Sequence, residues 1–365
     1  MYSWGANSSS QLGQGICNEQ YNTPTKISEE KLSLVPERVI QINGGATHSL
    51  VLDSLGKIYM CGKININAKD PNEILYTFKQ IASCENIIFS QIACGWDFSV
   101  GISKYSKLFV WGSNSFNQLG LPKDKYPFIA EPILVNDISV KFVACGLRHT
   151  AVITLDNKLK ICGSNTHGQL GLVDAIGNSL NVECFTDIPN LENIKTVACG
   201  QKHTVALNFR GEIFVWGDNK WGQLGFSPKL MSKSKKPIKL TIPKLNDPIK
   251  LFCGWTHNVI LTASGHLWSW GRNNYGQLGR RCDENNSWLP EKIQLNDVER
   301  FSIGAEHNLA VASNKLYSWG WNEHGNCGNG CLNNIFEPTI IDSNVSNKTI
   351  YCIGCGTGQS FAISK

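Results

Sequence analysis

The chain repeats one pattern seven times, and a repeat that spans a whole chain decides its fold before any local feature does. A strand-ending pair recurs as Trp4-Gly5, Cys61-Gly62, Trp111-Gly112, Cys162-Gly163, Trp216-Gly217, Trp270-Gly271 and Trp319-Gly320. A second marker keeps the same beat at Gly45, Gly95, Gly146, Gly200, Gly254, Gly304 and Gly356, in steps of 50, 51, 54, 54, 50 and 52 residues.

Each unit has one grammar. The clearest runs Thr196 to His203, then Thr204 to Leu207, a turn through Arg210-Gly211, Ile213 to Gly217, Asn219, and the loop Gly222-Gln-Leu-Gly225. Short β-branched and aromatic runs broken by Gly and Asn read as strands joined by tight turns. No long 3.6-residue apolar period occurs, so helix is a minor component. A strand averages about five to six residues, so a unit of this length holds roughly four, which is one propeller blade. The expectation is an all-β fold, a seven-bladed β-propeller of about four-stranded blades. The chain opens on Met1-Tyr-Ser-Trp-Gly5, the end of a unit, and closes on Cys355 to Ser364, the start of one. Closure by pairing of the N- and C-terminal strands would remove open sheet edges. One domain over residues 1–365 follows, although length alone suggests two or three.

Hydrophobic residues form 42% of the chain, enough for a core, and 34 glycines supply the turns. No apolar run reaches transmembrane length, and a strand that already includes residue 4 leaves no signal peptide. The expectation is therefore no membrane insertion. A net charge of +5 is too slight to imply a nucleic-acid partner. One basic run, from Lys229 through Lys233, Lys235, Lys236 and Lys239 to Lys244, reads as a solvated inter-unit loop.

The repeat also absorbs the cysteines and histidines. Of 14 cysteines, Cys94, Cys145, Cys199, Cys253 and Cys355 precede the marker glycine, and Cys61 and Cys162 replace the tryptophan. These read as small core hydrophobes of a reducing compartment. Cys327, Cys331, Cys352 and Cys355 have a spacing like a zinc site, but Cys327 fills the loop's Leu slot and Cys355 a core slot, so no metal is expected. His48, His149, His203, His257 and His307 all fall three residues after the marker, where Phe98 and Gln359 stand in the other units. That regularity is structural. No phosphate-binding loop, nucleophile elbow, zinc-protease motif or dinucleotide fingerprint occurs, so neither catalytic residues nor a cofactor are expected.

Units built as Cys-Gly-x-x-His, Trp-Gly-x-Asn and Gly-Gln-Leu-Gly resemble the regulator of chromosome condensation repeats over the whole chain. Asn7, Asn114, Asn165, Asn219, Asn273 and Asn322 all fit that grammar. The stretches Ala93 to Phe98, Gly112 to Gly120, Gly146 to His149, Gly254 to His257 and Trp319 to Gly325 most resemble a secretion-linked branch of that family. The resemblance implies a guanine nucleotide exchange factor for a small GTPase, acting in regulated secretion with a link to an exocyst subunit. It also implies a cytoplasmic and nuclear location and a monomeric state. The alternative is a non-catalytic adaptor for secretory components. The family's founding member has a basic DNA-binding tail and a wedge in one blade, neither of which is found here, so chromatin binding does not carry over. The second unit, the most irregular, replaces its Gly-Gln-Leu-Gly loop with Lys63 to Lys69.

The two residues after each marker glycine vary while their neighbours hardly do, and in a propeller equivalent turns share one face. They collect Trp96, Asp97, Arg148, Lys202, Trp255 and Glu306, and tryptophan and arginine are frequent interface anchors. We expect these residues to bind the partner, with Trp321, Glu323 and His324 on the loop beside them. Asp97 and Glu306 are the candidates to compete for the lysine or magnesium that holds a GTPase's phosphates. The competing expectation for Trp96 and Trp255 is that they plug the channel.

Overall fold

The structure, a computed structural model, describes residues 1–63, 73–282, 285–341, 345 and 348–365. Residues 64–69 of the irregular loop in the second unit lie outside the described residues. The described residues hold strands and three short 3-10 turns, with no α-helix. Apart from Phe128–Cys145 the strands are five to eight residues long, and several, such as Ile213–Asp218, end at Gly, Asn or Asp.

The strands form six antiparallel sheets, five of four strands and one of seven. The seven-stranded sheet arises because Phe128–Cys145 is continuous: its first half pairs with Lys107–Ser113 and its second with His149–Thr154. Elsewhere a connector of five or more residues separates the two strands, as in Thr241-Ile-Pro-Lys-Leu-Asn-Asp247. Here only Asn136-Asp137 intervenes. Asp137 takes φ +60° and the pairing shifts register, but the strand runs on.

The first strands of successive units lie side by side. Ile350–Cys355 rests against Val39–Gly44, followed by Phe89–Cys94, Phe128–Cys145, Ile194–Cys199, Pro248–Cys253 and Val298–Ile303, which rests against Ile350–Cys355 again. Tyr2–Ala6 pairs with Gln359–Ser364 on one side and Gln20–Lys26 on the other, so the two ends of the chain share a sheet. Strand direction alternates within a unit. The marker-glycine turn and the loop after the third strand therefore lie on one face, and the turn between the second and third strands lies on the opposite face.

The repeat motifs are the wiring between neighbouring units. Trp4, Trp111, Trp216, Trp270 and Trp319 are fully or almost fully buried, each in a cluster with the preceding unit, as Trp216 is with Ile161 and Leu170. The indole N–H of Trp216 donates to the Gln169 carbonyl at 2.8 Å, and Trp270 and Trp4 donate likewise to Gln223 and Asn326 at 3.0 and 2.9 Å. The recurring asparagine, here Asn219, holds its own loop: its Oδ1 accepts the Leu224 N–H at 2.8 Å and its amide donates to the Phe226 carbonyl at 3.0 Å. The glycine of the strand-ending pair sits at a bulge with positive φ, 103° at Gly217, a conformation that side chains rarely adopt.

The basic run differs from the expected loop. Lys233–Leu240 is the outermost strand of its sheet, with Lys239 paired to Glu212 at 2.6 Å and Lys235 donating to the Gly177 carbonyl at 3.0 Å. The five slot cysteines carry no disulfides. Among the described residues no group of three or more His, Cys, Asp or Glu is placed to hold a metal.

Candidate functional site: the marker-glycine face

The marker turns meet around a central cavity of about 450 Å³ lined by the first strands of the units. Backbone hydrogen bonds stitch one turn to the next. Ala46 donates to Trp96 at 2.8 Å, Leu147 to Gly200 at 3.3 Å, Gln201 to Trp255 at 3.0 Å and Trp255 to Ala305 at 2.7 Å. Ala305 then donates to Thr357 and Thr357 to Gly45, both at 3.3 Å. The turns are thus fixed as a rim, and their side chains are held on a rigid scaffold.

Trp96 and Trp255, three units apart in sequence, meet at this rim with ring centroids 5.4 Å apart and planes tilted by 43°. Both line the cavity mouth. They cap the cavity mouth with each other, and both remain partly accessible. Asp97 and Arg148 are exposed beside them. Desolvation raises the Asp97 pKa, opposed by a hydrogen bond with Ser113 and by the Arg148 guanidinium. Arg148 itself lies over the Phe116 ring, 4.3 Å from its centroid. Lys202 reaches His167 at 3.5 Å.

Glu306 departs from its expected place on the open rim. It is buried, accepting from Thr256 Oγ1 at 2.7 Å and from Gln277 Nε2 at 2.6 Å, with His257 Nδ1 at 3.6 Å. A buried carboxylate with both oxygens engaged ties two units together and is not free to attract a lysine or metal ion. Trp321, Glu323 and His324 form a second, separate group. The Trp321 indole donates to Glu323 at 3.2 Å and stacks edge-on with His324 at 5.2 Å between centroids. His324 also contacts Gln20 at 3.4 Å.

The motif-based reading missed a third feature of this face. The slot two residues after the motif Asn carries Phe116, His167, Trp221, Tyr275 and His324 in five units. Arg272 is sandwiched there, 4.5 Å from the Trp221 centroid and 4.6 Å from that of Tyr275. The signal was present in the repeat: lining up the loops shows an aromatic slot as regular as the histidine slot. With Arg148 and Phe116, these residues make an arc of stacked cations and rings, a surface suited to polar and apolar contact with a protein.

This geometry defines a repeat-built β-sheet protein with a rigid, aromatic and charged rim. The RCC1-like domain model matches residues 1–362, and the chain belongs to the RCC1-like domain family. It is 30% identical over 391 aligned positions to the secretion-regulating guanine nucleotide exchange factor of Bos taurus, covering 100% of this chain and 82% of that one. The Mus musculus counterpart is 32% identical over 395 positions, covering 100% and 83%. The ultraviolet-B receptor UVR8 of Arabidopsis thaliana is 30% identical over 322 positions, 85% of this chain and 70% of that one. Among solved structures, Prp20p from Saccharomyces cerevisiae superposes with a TM-score of 0.86 at 24% identity, covering 99% and 90% of the two chains. Human WBSCR16 superposes with a TM-score of 0.84 at 20% identity over 100% and 98%.

Proposed function

We propose that the chain is a guanine nucleotide exchange factor for a small GTPase, built as a closed ring of seven blades with the rim as its docking face. The observation that carries this reading is similarity along the entire chain to relatives named as exchange factors. The ring reading rests on the unbroken succession of first strands, on the strand shared by two units, and on the pairing of Tyr2–Ala6 with Gln359–Ser364. A role in regulated secretion belongs to the same proposal, motivated by those relatives' name; an exocyst contact, a monomeric state and a cytoplasmic and nuclear location are proposed with it from the repeat resemblance alone.

An exchange factor needs no bond-making residue. It binds the GTPase best with the phosphate and magnesium site deformed, and by linkage nucleotide then weakens its grip. With Glu306 engaged inside the protein, Asp97 and Glu323 are the accessible acids among the expected partner-binding residues for the GTPase's phosphate-binding cations. That same burial favours one second reading: an adaptor that holds the GTPase without loosening its nucleotide. Two measurements on a panel of small GTPases separate them. Exchange predicts faster release of labelled nucleotide and stronger capture of EDTA-stripped than of GTP-loaded GTPase. Asp97→Ala, Arg148→Ala and Trp255→Ala should each weaken capture by about tenfold, the cost of losing an interface anchor. Equal capture of both forms without faster release leaves the adaptor, and wild-type capture by all three variants removes the rim.

A further inference from the structure

The face opposite the rim carries a second pattern that the exchange reading does not use. The turns joining the second and third strands of four successive units each present one large apolar side chain to solvent. Leu55 is 51% exposed, Tyr105 72%, Leu155 56% and Phe209 59%. Singly, such residues are ordinary on any surface. Four in equivalent turns of consecutive units are an arc, and the corresponding turns in the next two units, Ala263-Ser264 and Ser313-Asn314, carry none. Between the tips, Gly56 packs on Ile88, Lys104 N–H donates to the Ile88 carbonyl at 2.8 Å, and the Lys141 ammonium sits 5.6 Å from the Phe209 ring centroid.

Each apolar tip has basic neighbours: Lys57 by Leu55, Lys104 and Lys107 by Tyr105, Lys158 by Leu155 and Arg210 by Phe209. The carboxylates of these turns are occupied. Asp53 is buried and accepts the Leu55 and Lys57 N–H groups at 3.0 and 2.8 Å. Asp156 pairs with Lys158 at 3.1 Å and Glu212 with Lys239 at 2.6 Å. Lys57, Lys104 and Lys107 form no ion pair among the described residues, and Arg210 has only a longer-range attraction to Glu212, whose carboxylate is held by Lys239.

We propose that this face docks on an anionic phospholipid surface. Separate apolar tips with cations at their bases suit the headgroup layer, where side chains enter the acyl boundary and ammonium groups meet lipid phosphates. A protein groove would instead call for a contiguous apolar patch. No helix among the described residues is long and apolar enough to cross a membrane, so the contact is peripheral. It also leaves the rim facing away from the bilayer, free for a partner.

The test is sedimentation of the full chain with vesicles of phosphatidylcholine alone or with phosphatidylserine at one-third. No GTPase is needed, so the result stands apart from the exchange reading. Binding is expected only with phosphatidylserine, and it should weaken steeply between low and high salt. Leu155→Ser with Phe209→Ser should lower the affinity by about tenfold or more. Lys104→Glu with Arg210→Glu should do the same at exposed sites that bear little on folding. Ile176→Ser with Leu230→Ser is the control, since these side chains are 84% and 90% exposed on the rim face. Absence of binding to phosphatidylserine vesicles, or equal loss in the control, overturns the proposal.

Discussion

At the scale of single residues, the glycine and histidine of Cys-Gly-x-x-His are one device. A Cβ on Gly200 would stand 2.0 Å from His203 Cε1 and 2.9 Å from the Gly254 carbonyl, so the slot needs glycine for close approach and not for its dihedral freedom. The ring it admits is wholly buried and reaches the next unit. His203 Nε2 meets Asn258 Oδ1 at 2.8 Å, and the Asn258 amide donates to the Gln223 carbonyl at 2.8 Å, which fixes the proton on Nε2. His48 reaches Ser99 at 2.8 Å, His149 reaches Thr204 at 3.0 Å and His307 reaches Ser360 at 3.0 Å. Burial holds His48, His149 and His307 down to about 3 and His203 to about 4. The unfolded chain protonates near 6.5, so below that pH it binds more protons than the folded state. Stability is therefore full above pH 6.5 and falls as pH drops toward 4, by about 1.4 kcal/mol per pH unit for each histidine. Urea midpoints across pH 7.5 to 4.5 should show this slope. His203→Gln, which places the residue of Gln359 in an equivalent slot, should reduce it by one proton. An unchanged slope in that variant contradicts the assignment.

At the scale of elements, each Gly-Gln-Leu-Gly loop is a plug between units, and the asparagine after Trp-Gly is what shapes it. Asn219→Ala strands the Leu224 N–H and the Phe226 and Met231 carbonyls, all partners of one side chain. Leaving such groups without partners costs about 1–3 kcal/mol each at buried positions, so a loss of at least that size in chemical denaturation is expected. Ser8→Ala, one residue beyond the equivalent Asn7 and exposed, should cost about 0.5 kcal/mol or less. The strands, turns and buried histidines of these elements were legible because each is set by its own ten residues and checked seven times. Three features were not. Phe128–Cys145 runs through where a break was due, because Asn136-Asp137 can be absorbed in a bulge. The lysine run forms the edge strand Lys233–Leu240, since alternate residues of an outermost strand face water and lysine is tolerated there. Glu306 turned inward because Thr256 and Gln277, 50 and 29 residues away, offer it donors, and a partnership across units leaves no local trace.

At the scale of the whole molecule, the proposed ring depends on one short strand. Tyr2–Ala6 is an interior strand of its sheet, hydrogen-bonded on both sides, and it carries the fully buried Trp4 into the cluster of Leu309, Val311 and Leu316 from the preceding unit. Trp4 also donates to the Asn326 carbonyl at 2.9 Å, the same seam that Trp216 and Trp270 make inside the chain. A ring joined in this way by noncovalent pairing behaves as one cooperative body, because opening any seam exposes two edges at once. Removal of residues 1–6 takes out the strand and leaves Gln20–Lys26 and Gln359–Ser364 facing a gap. The loss of Trp4 alone costs about 3–5 kcal/mol, the usual range for a buried tryptophan, and the two new edges invite pairing between molecules. The truncated chain should therefore melt well below the intact one and run as dimers or larger species in size-exclusion chromatography. Trp4→Ala, which keeps the backbone pairing, should lower the melting temperature without changing the elution volume. A truncated chain that melts with the intact protein and elutes as a monomer would show that the seam does not hold the ring.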